Sequence, residues 1–188
     1  MNILIWIGSF IGLLILLMVY FYNALVKADK KALEGWSRID VALKKRYDLV
    51  PNLVETVKAY AKHEKETLKE VVNLRNVSME VDGVEEKAGS EENLSQGIKT
   101  IFALAEQYPE LKADQSFNKL QKKLADIEDD IQMARRYYNA TVRDLDIMID
   151  SFPSNIIAKI FGFKDREFFQ VESPKQRRRI RIVFGDKE

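Results

Sequence analysis

The sequence predicts an all-α protein, with an N-terminal transmembrane helix continuous with a long antiparallel, up-and-down bundle of the four-helix type. Three observations predict this fold class. Residues 3–22 are apolar and uncharged, and the apolar residues after Ala24 recur every three or four positions, as in an amphipathic helix. Only 8 glycines and 4 prolines occur among 188 residues, which argues against extensive disorder and turn-rich all-β folds.

Residues 1–26 form the predicted membrane anchor. Twenty helical residues cross about 30 Å, the thickness of a bilayer's hydrocarbon core, and Trp6 and Tyr20 suit its two interfaces. No Lys or Arg precedes the long apolar run, so a span is favoured over a cleaved signal peptide, although Val26-Lys27-Ala28 weakly resembles a cleavage site. The lysines after the span favour a single-pass orientation with the N-terminus outside and the body in the cytoplasm.

Gly8 and Gly12 form a GxxxG step inside the predicted span. Small residues four positions apart let two transmembrane helices approach closely, so this step is a candidate dimer face. The alternative is that glycine is simply common in transmembrane helices.

Residues 27–169 form the predicted bundle. Its first helix is expected to run from the membrane exit to about Val71. Pro51 removes one helical hydrogen bond and crowds the preceding turn, so it predicts a kink that could split this helix into two packing units. Six acidic residues and two glycines within 77–93 predict a loop at about 77–90, with Ser90 capping a helix over 91–107.

The clearest helical pattern begins at a cap on Asp114 or Ser116 and ends before Pro153. Its apolar residues repeat every 3.5 positions on average, which is typical of coiled-coil packing against partner helices. Ser154 is expected to cap a short helix over 155–161, which Gly162 closes. A short extended segment containing Phe168, Phe169 and Val171 is expected to follow.

Glu128 borders the apolar stripe of this long helix, so it is expected to meet Arg46 or Arg38 of the first helix. Such an ion pair inside a bundle fixes helix register more than it adds stability.

Residues 170–188 form a basic tail. Residues 173–188 carry a net charge of +4 within a chain of net +1, which leaves −3 on the rest. Five cations lie within seven positions: Lys175, Arg177, Arg178, Arg179 and Arg181. Such a cluster can bind anionic lipid or a partner, or it can be a passive solvated tail.

Catalytic, cofactor and metal sites are not expected. The chain has no cysteine and one histidine, His63, and it lacks HExxH, GxSxG, GxGxxG and P-loop motifs. An enzyme is therefore not expected, and neither is nucleic-acid binding, because a body of net −3 lacks the basic face that phosphate binding needs.

Arg135, Arg136 and Tyr137 make a dense polar and aromatic run on the last long helix. Arg and Tyr dominate interface hot spots, so these three residues are a candidate partner surface. The alternative is that they form the rim and solvent face of the bundle.

Six segments together resemble the LemA family of bacterial membrane-anchored proteins. They are YNALV (22–26), WSRIDVALKKRYDLVPNLV (36–54), YAKHE (60–64), YPELKAD (108–114), ARRYYN (134–139) and FPSNIIAKIFGF (152–163). The resemblance implies a short outside N-terminus, one span and a soluble antiparallel bundle. It also implies an association with membrane metalloproteases of the HtpX type, and no enzymatic activity is established for the family.

Two functions follow as hypotheses. The first is a non-enzymatic adaptor or scaffold of the bacterial envelope that contacts membrane lipid and other membrane proteins, with an HtpX-type protease as one partner. The alternative is a self-assembling structural protein that organises or shapes membrane. Both hypotheses accommodate a homo-oligomer.

Overall fold

The structure is a computed structural model that describes residues 2–170, with side chains described from Ile5 onward. This part of the chain forms six helices and no strand, which confirms the predicted all-α fold class. The helices are α1 (Asn2–Tyr60), α2 (Lys65–Glu80), α3 (Val84–Ala105), α4 (Pro109–Ala113), α5 (Gln115–Asp150) and α6 (Ser154–Phe161).

Helix α1 is continuous for 59 residues, so the apolar N-terminal segment and the first bundle helix are one element. Pro51 lies inside α1 and does not split it into two packing units. Val50 and Leu53 are buried on either side of the proline, and their burial stabilises the helix where one hydrogen bond is lost. The kink at Pro51 stays a prediction.

The first helix ends earlier than the apolar spacing indicates. It ends at Tyr60, and a turn over residues 61–64 leads into α2. Ala61 and Leu68 are both buried. The helical spacing therefore continues through the turn, and spacing alone does not reveal the reversal.

The predicted loop at about 77–90 is wrong, because only residues 81–83 separate α2 from α3. Glu85 and Glu86 lie in the first turn of α3, where negative charge complements the positive end of the helix dipole. Ser90 is inside the helix and is not its cap, and its hydroxyl donates to the carbonyl of Lys87 at 3.0 Å. The acidic cluster marks a helix start, not a solvated loop.

Helix α5 begins at the predicted cap. The Asp114 carboxylate accepts from the Phe117 amide at 2.8 Å, and this hydrogen bond lowers the pKa of Asp114. The Tyr60 hydroxyl also donates to Asp114 at 3.0 Å, which ties the end of α1 to the start of α5.

The short helix α6 follows α5 closely. Ser154 is its first helical residue and not its cap, and the Ser154 hydroxyl donates to the Ser151 carbonyl at 2.9 Å. Gly162 closes α6 with φ of 73°, a left-handed conformation that suits glycine and confirms the predicted C-terminus.

Helices α1 and α5 run antiparallel along most of the body. Trp36 and Tyr138 form an edge-to-face ring pair at 5.6 Å, and Lys45 and Asp130 approach to 3.8 Å farther along α1. Helix α2 folds back on α1, where the Arg75 side chain donates to the Tyr47 carbonyl at 3.0 Å. Helix α3 then runs outward beside α2, so the half of the body farther from the predicted span, called the membrane-distal half, is an up-and-down bundle of four helices.

The half nearer the predicted span, called the membrane-proximal half, contains α1, α5 and the short helix α6, and residues 163–170 lie against α1 and α5. This segment has no regular structure, so the predicted extended segment is not a strand, and Val171 lies outside the described residues. Phe169 is 1% exposed beside Trp36, and its backbone N–H and C=O both bond to the side-chain amide of Asn139, at 2.9 and 3.1 Å. The Asn139 amide therefore fixes the segment to α5.

Candidate functional site

A buried polar centre joins three helices at the membrane-distal half of the body. Arg46 of α1 is 2% exposed and lies between Glu91 of α3 and Glu128 of α5. Its Nη1 donates to Glu128 Oε2 at 2.9 Å and to Ser95 Oγ at 2.7 Å, while its Nη2 donates to Glu91. The predicted ion pair between Arg46 and Glu128 is thus present, and the predicted alternative partner Arg38 pairs with Glu34 of its own helix at 2.7 Å.

The polar centre continues into α2. The Tyr47 hydroxyl donates to the Glu91 carboxylate and also lies 3.2 Å from the carbonyl oxygen of Ser78. The buried Lys87 ammonium donates to the same carbonyl at 2.8 Å. All four bundle helices therefore contribute to one connected hydrogen-bond network.

Burial controls the ionisation of this centre. Loss of solvent lowers the pKa of Arg46, and the attraction of Glu128 opposes that shift. Burial raises the pKa of Tyr47 to about 12, so its hydroxyl stays protonated and acts as a donor at neutral pH. Two carboxylates already occupy the Arg46 guanidinium, which suits a structural lock better than a binding site for an external anion.

We expect the polar centre to fix the register of the helices. Loss of one of its members should therefore destabilise the protein strongly. Arg46→Met leaves Glu91 as a buried, unpaired carboxylate, so it should lower the free energy of unfolding by about 3–5 kcal/mol. The double variant Arg46→Met/Glu91→Met removes both buried charges and should regain most of that loss. Urea unfolding of the full chain in detergent micelles, followed by far-UV circular dichroism, measures both values.

Arg143→Met is the matched control, because Arg143 is exposed on α5, and it should change the free energy of unfolding by less than about 0.5 kcal/mol. A single Arg46→Met variant as stable as this control would contradict a locking role.

An open groove of about 900 Å³ lies at the membrane-distal end, between the end of α1 and the start of α2. Its floor is apolar and includes the buried residues Val54, Ala61 and Leu68. Its rim is basic and carries four lysines along with His63: Lys58, Lys62, Lys65 and Lys69. The groove therefore combines an apolar surface with a positive edge.

Two of the rim lysines are already neutralised by neighbours. Lys58 pairs with Glu55 at 3.1 Å, and Lys69 pairs with Glu66 at 3.0 Å. Lys62 and Lys65 have no ion-pair partner among residues 2–170, so they supply the free positive charge of the rim. This groove was not predicted from the sequence, although the four lysines are spaced four, three and four positions apart, as on one face of a helix.

The predicted partner surface does not form one continuous patch. The Arg135 guanidinium lies 5.1 Å from the ring of Phe169, and Tyr137 faces the Arg38 guanidinium at 4.5 Å on the other side of α5. Arg136 is the one member of the three that is exposed, while Arg135 and Tyr137 are half-buried. Two of the three side chains thus already contact other residues of this chain.

The remaining predicted sites lie at the two ends of the chain. No side chain in the described region comes near Gly8 or Gly12, and the apolar N-terminal part of α1 is long and apolar enough to cross a membrane. The five tail cations from Lys175 to Arg181 lie outside the described residues. Within the described residues, no group of three or more His, Asp or Glu side chains could hold a metal ion.

Comparison with known proteins decides the family. A sequence model of the LemA family matches residues 35–184, which is more than half of the chain. The chain belongs to the LemA family. The match also extends past residue 169 into the basic tail, beyond the segments that carry the resemblance in the sequence.

Magnetosome proteins are among the curated relatives of this LemA-family chain. It is 25% identical over 174 residues to magnetosome protein MamQ of Magnetospirillum gryphiswaldense, covering 79% of this chain and 64% of that protein. It is 30% identical over 91 residues to magnetosome protein MamQ 2 of Paramagnetospirillum magneticum, covering 48% of this chain and 34% of that protein. The chain thus spans less than two thirds of the length of either relative.

Proposed function

We propose that this LemA-family protein is a membrane-anchored adaptor that holds a partner's acidic, amphipathic segment at a fixed distance from the membrane. The distal groove is the observation that carries the proposal. Its buried floor of Val54 and Leu68 offers apolar contact, and Lys62 and Lys65 offer unpaired positive charge beside it. An amphipathic helix with acidic flanks matches both features, as in helix-in-groove recognition.

The mechanism of this adaptor is geometric. The 38 residues of α1 between Tyr22 and Tyr60 correspond to about 57 Å of helix. Because no linker interrupts α1, the groove stands at that distance from the membrane exit. The Arg46 centre holds together the four-helix section that includes α1 and α2, the two helices that line the groove, so the binding surface is preorganised. This function needs no catalytic residue.

A membrane metalloprotease of the HtpX type is the partner to test first, because the family resemblance points to it. We expect Lys62→Glu/Lys65→Glu to weaken binding of the full-length protein to the purified protease in nanodiscs at least tenfold, since two attractions become repulsions. Lys122→Glu/Lys123→Glu changes the charge equally on an exposed part of α5 and should leave the affinity unchanged.

Photo-crosslinking from the groove rim in native membranes extends this test to other partners. A crosslink to an acidic helix of a defined membrane protein, lost in the Lys62→Glu/Lys65→Glu variant and kept in the control, supports the adaptor. Crosslinks between copies of this chain alone would contradict it.

The adaptor is proposed to lie in the inner membrane, with the groove on the cytoplasmic side. The absence of cysteine makes the orientation measurable, because Met79→Cys at an exposed site of α2 introduces a single thiol. A membrane-impermeant thiol reagent is expected to label this variant only after cells are lysed. Labelling in intact cells would place the body on the outer side.

A second candidate function is self-assembly that organises or shapes membrane. It is favoured by the open face at Gly8 and Gly12, where no side chain fills the space beside the helix. If this face pairs copies, Gly8→Ile and Gly12→Ile should shift the particle mass in detergent toward the monomer, while Leu17→Ile should not. A wild-type protein that is already monomeric in detergent and in nanodiscs would exclude this function.

A further inference from the structure

Helix α6 is apolar on the face it buries and also on the face it exposes. Ile157 and Ala158 are buried against α1 and α5. On the opposite side, Phe152, just before the helix, is 81% exposed, and Ile156 and Ile160 are 49% and 61% exposed. Exposed apolar side chains grouped on one short helix are typical of a surface that contacts another apolar phase.

The buried face of α6 packs against the end of the predicted membrane span. The apolar cluster under α6 includes Leu25 of α1, and Met18 and Phe21 of the span pack against it. The ring of Phe161 lies 4.7 Å from the ring of Tyr22, which is the last residue of the apolar run. Helix α6 therefore packs against the part of α1 that the proposed anchoring places at the membrane surface.

The rise of α1 gives the level of α6 relative to the bilayer. Met18 lies four residues before Tyr22, which corresponds to about 6 Å of helix toward the membrane interior. An interfacial helix buries its apolar face about 5–10 Å into the boundary between headgroups and acyl chains. Side chains that pack beside Met18 and Tyr22 therefore lie at the depth of that boundary.

Apolar contact, not net charge, distinguishes this surface. The exposed face of α6 carries one charge, Lys159, while both signs occur nearby on other elements. Asp29, for example, is paired with Arg166 at 2.8 Å. The outward side chains of α6 are about as exposed as Leu16 and Ile15, at 68% and 55%, which are residues of the span itself.

We propose that α6, together with Phe152, inserts into the lipid interface beside the span as a second attachment of the body to the same bilayer. Phe152, Ile156 and Ile160 enter the boundary between headgroups and acyl chains, and Lys159 reaches the headgroups. The occupant of this apolar face is lipid, because the face is continuous with the span that lipid already surrounds. Two attachments fix the tilt of the body and its rotation about the span.

The inference rests on the proposed membrane anchoring by α1. Labels on single thiols can test the insertion of α6 and the anchoring by α1 separately. We would place an environment-sensitive fluorophore on Phe152→Cys, Ile156→Cys and Ile160→Cys in the full chain, reconstituted in nanodiscs. Leu14→Cys reports the span, and Met79→Cys on α2 is the exposed control far from the membrane. The substituted side chains are exposed or in the span, so folding should be kept, and circular dichroism verifies it.

Spin-labelled lipids with the quencher at shallow depth should quench the three α6 labels several-fold more strongly than the Met79 label. The α6 emission should also shift to shorter wavelength, and aqueous iodide should quench it less. The Leu14 label lies about 12 Å of helix deeper than Tyr22, so it is read with a quencher placed deep on the acyl chain. If that deep quencher acts on the Leu14 label while the α6 labels behave like the Met79 label, the inference is wrong and membrane anchoring stands. If the deep quencher does not act on the Leu14 label, anchoring itself is wrong.

A variant with a polar outer face on α6 tests whether the second attachment restrains the body. Phe152→Ser/Ile156→Ser/Ile160→Ser leaves Ile157 and Ala158 buried, so the bundle should stay folded. Energy transfer from a label at Met79→Cys to acceptor lipids should show a broader distance distribution in this variant than in the parent chain. Unchanged distributions would show that α6 does not restrain the body, and so would overturn the second attachment.

Discussion

The antiparallel pairing of α1 and α5 is the constraint on which the rest of the structure depends. Helix α1 leaves the apolar segment with no linker, and α5 is the only other helix in the described residues that extends from the distal end of the body back to the end of the apolar segment. The pair carries the four-helix section at one end and α6 at the other. The packing of α1 against α5, called the seam, therefore sets the position of both candidate surfaces, the groove and α6.

An apolar seam alone does not define its own alignment. Leucine and isoleucine can pack against a neighbour one turn away with little loss, because dispersion and apolar burial are not directional. The Arg46 centre removes this freedom, since a slip of one turn between α1 and α5 would separate the buried Arg46 guanidinium from Glu128. The Asn139 amide does the same for residues 163–170, where it bonds to both backbone groups of Phe169.

Local spacing and caps made much of the fold predictable. Asp114 and Gly162 mark real helix ends because each satisfies a local backbone requirement. The turn at 61–64 and the helix start at Val84 were not predicted, since the first keeps the helical spacing and the second resembles a solvated loop in composition. The Arg46–Glu128 pair was predictable because both residues border the apolar stripes of α1 and α5. The contacts of Glu91 and Tyr47 and the groove were not predictable, because they depend on how α2 and α3 fold back, which the apolar spacing does not encode.

The uninterrupted path of α1 from the apolar segment into the bundle couples position along the helix to direction around it. Each residue added to an α-helix advances it by about 1.5 Å and turns it by about 100°. One residue inserted between Tyr22 and Leu25 would therefore swing the whole body by more than a quarter turn relative to the span, and it would move α6 away from Tyr22. The orientation of the body is set by the number of residues in this stretch of α1. Substitutions there should therefore be tolerated far better than insertions or deletions.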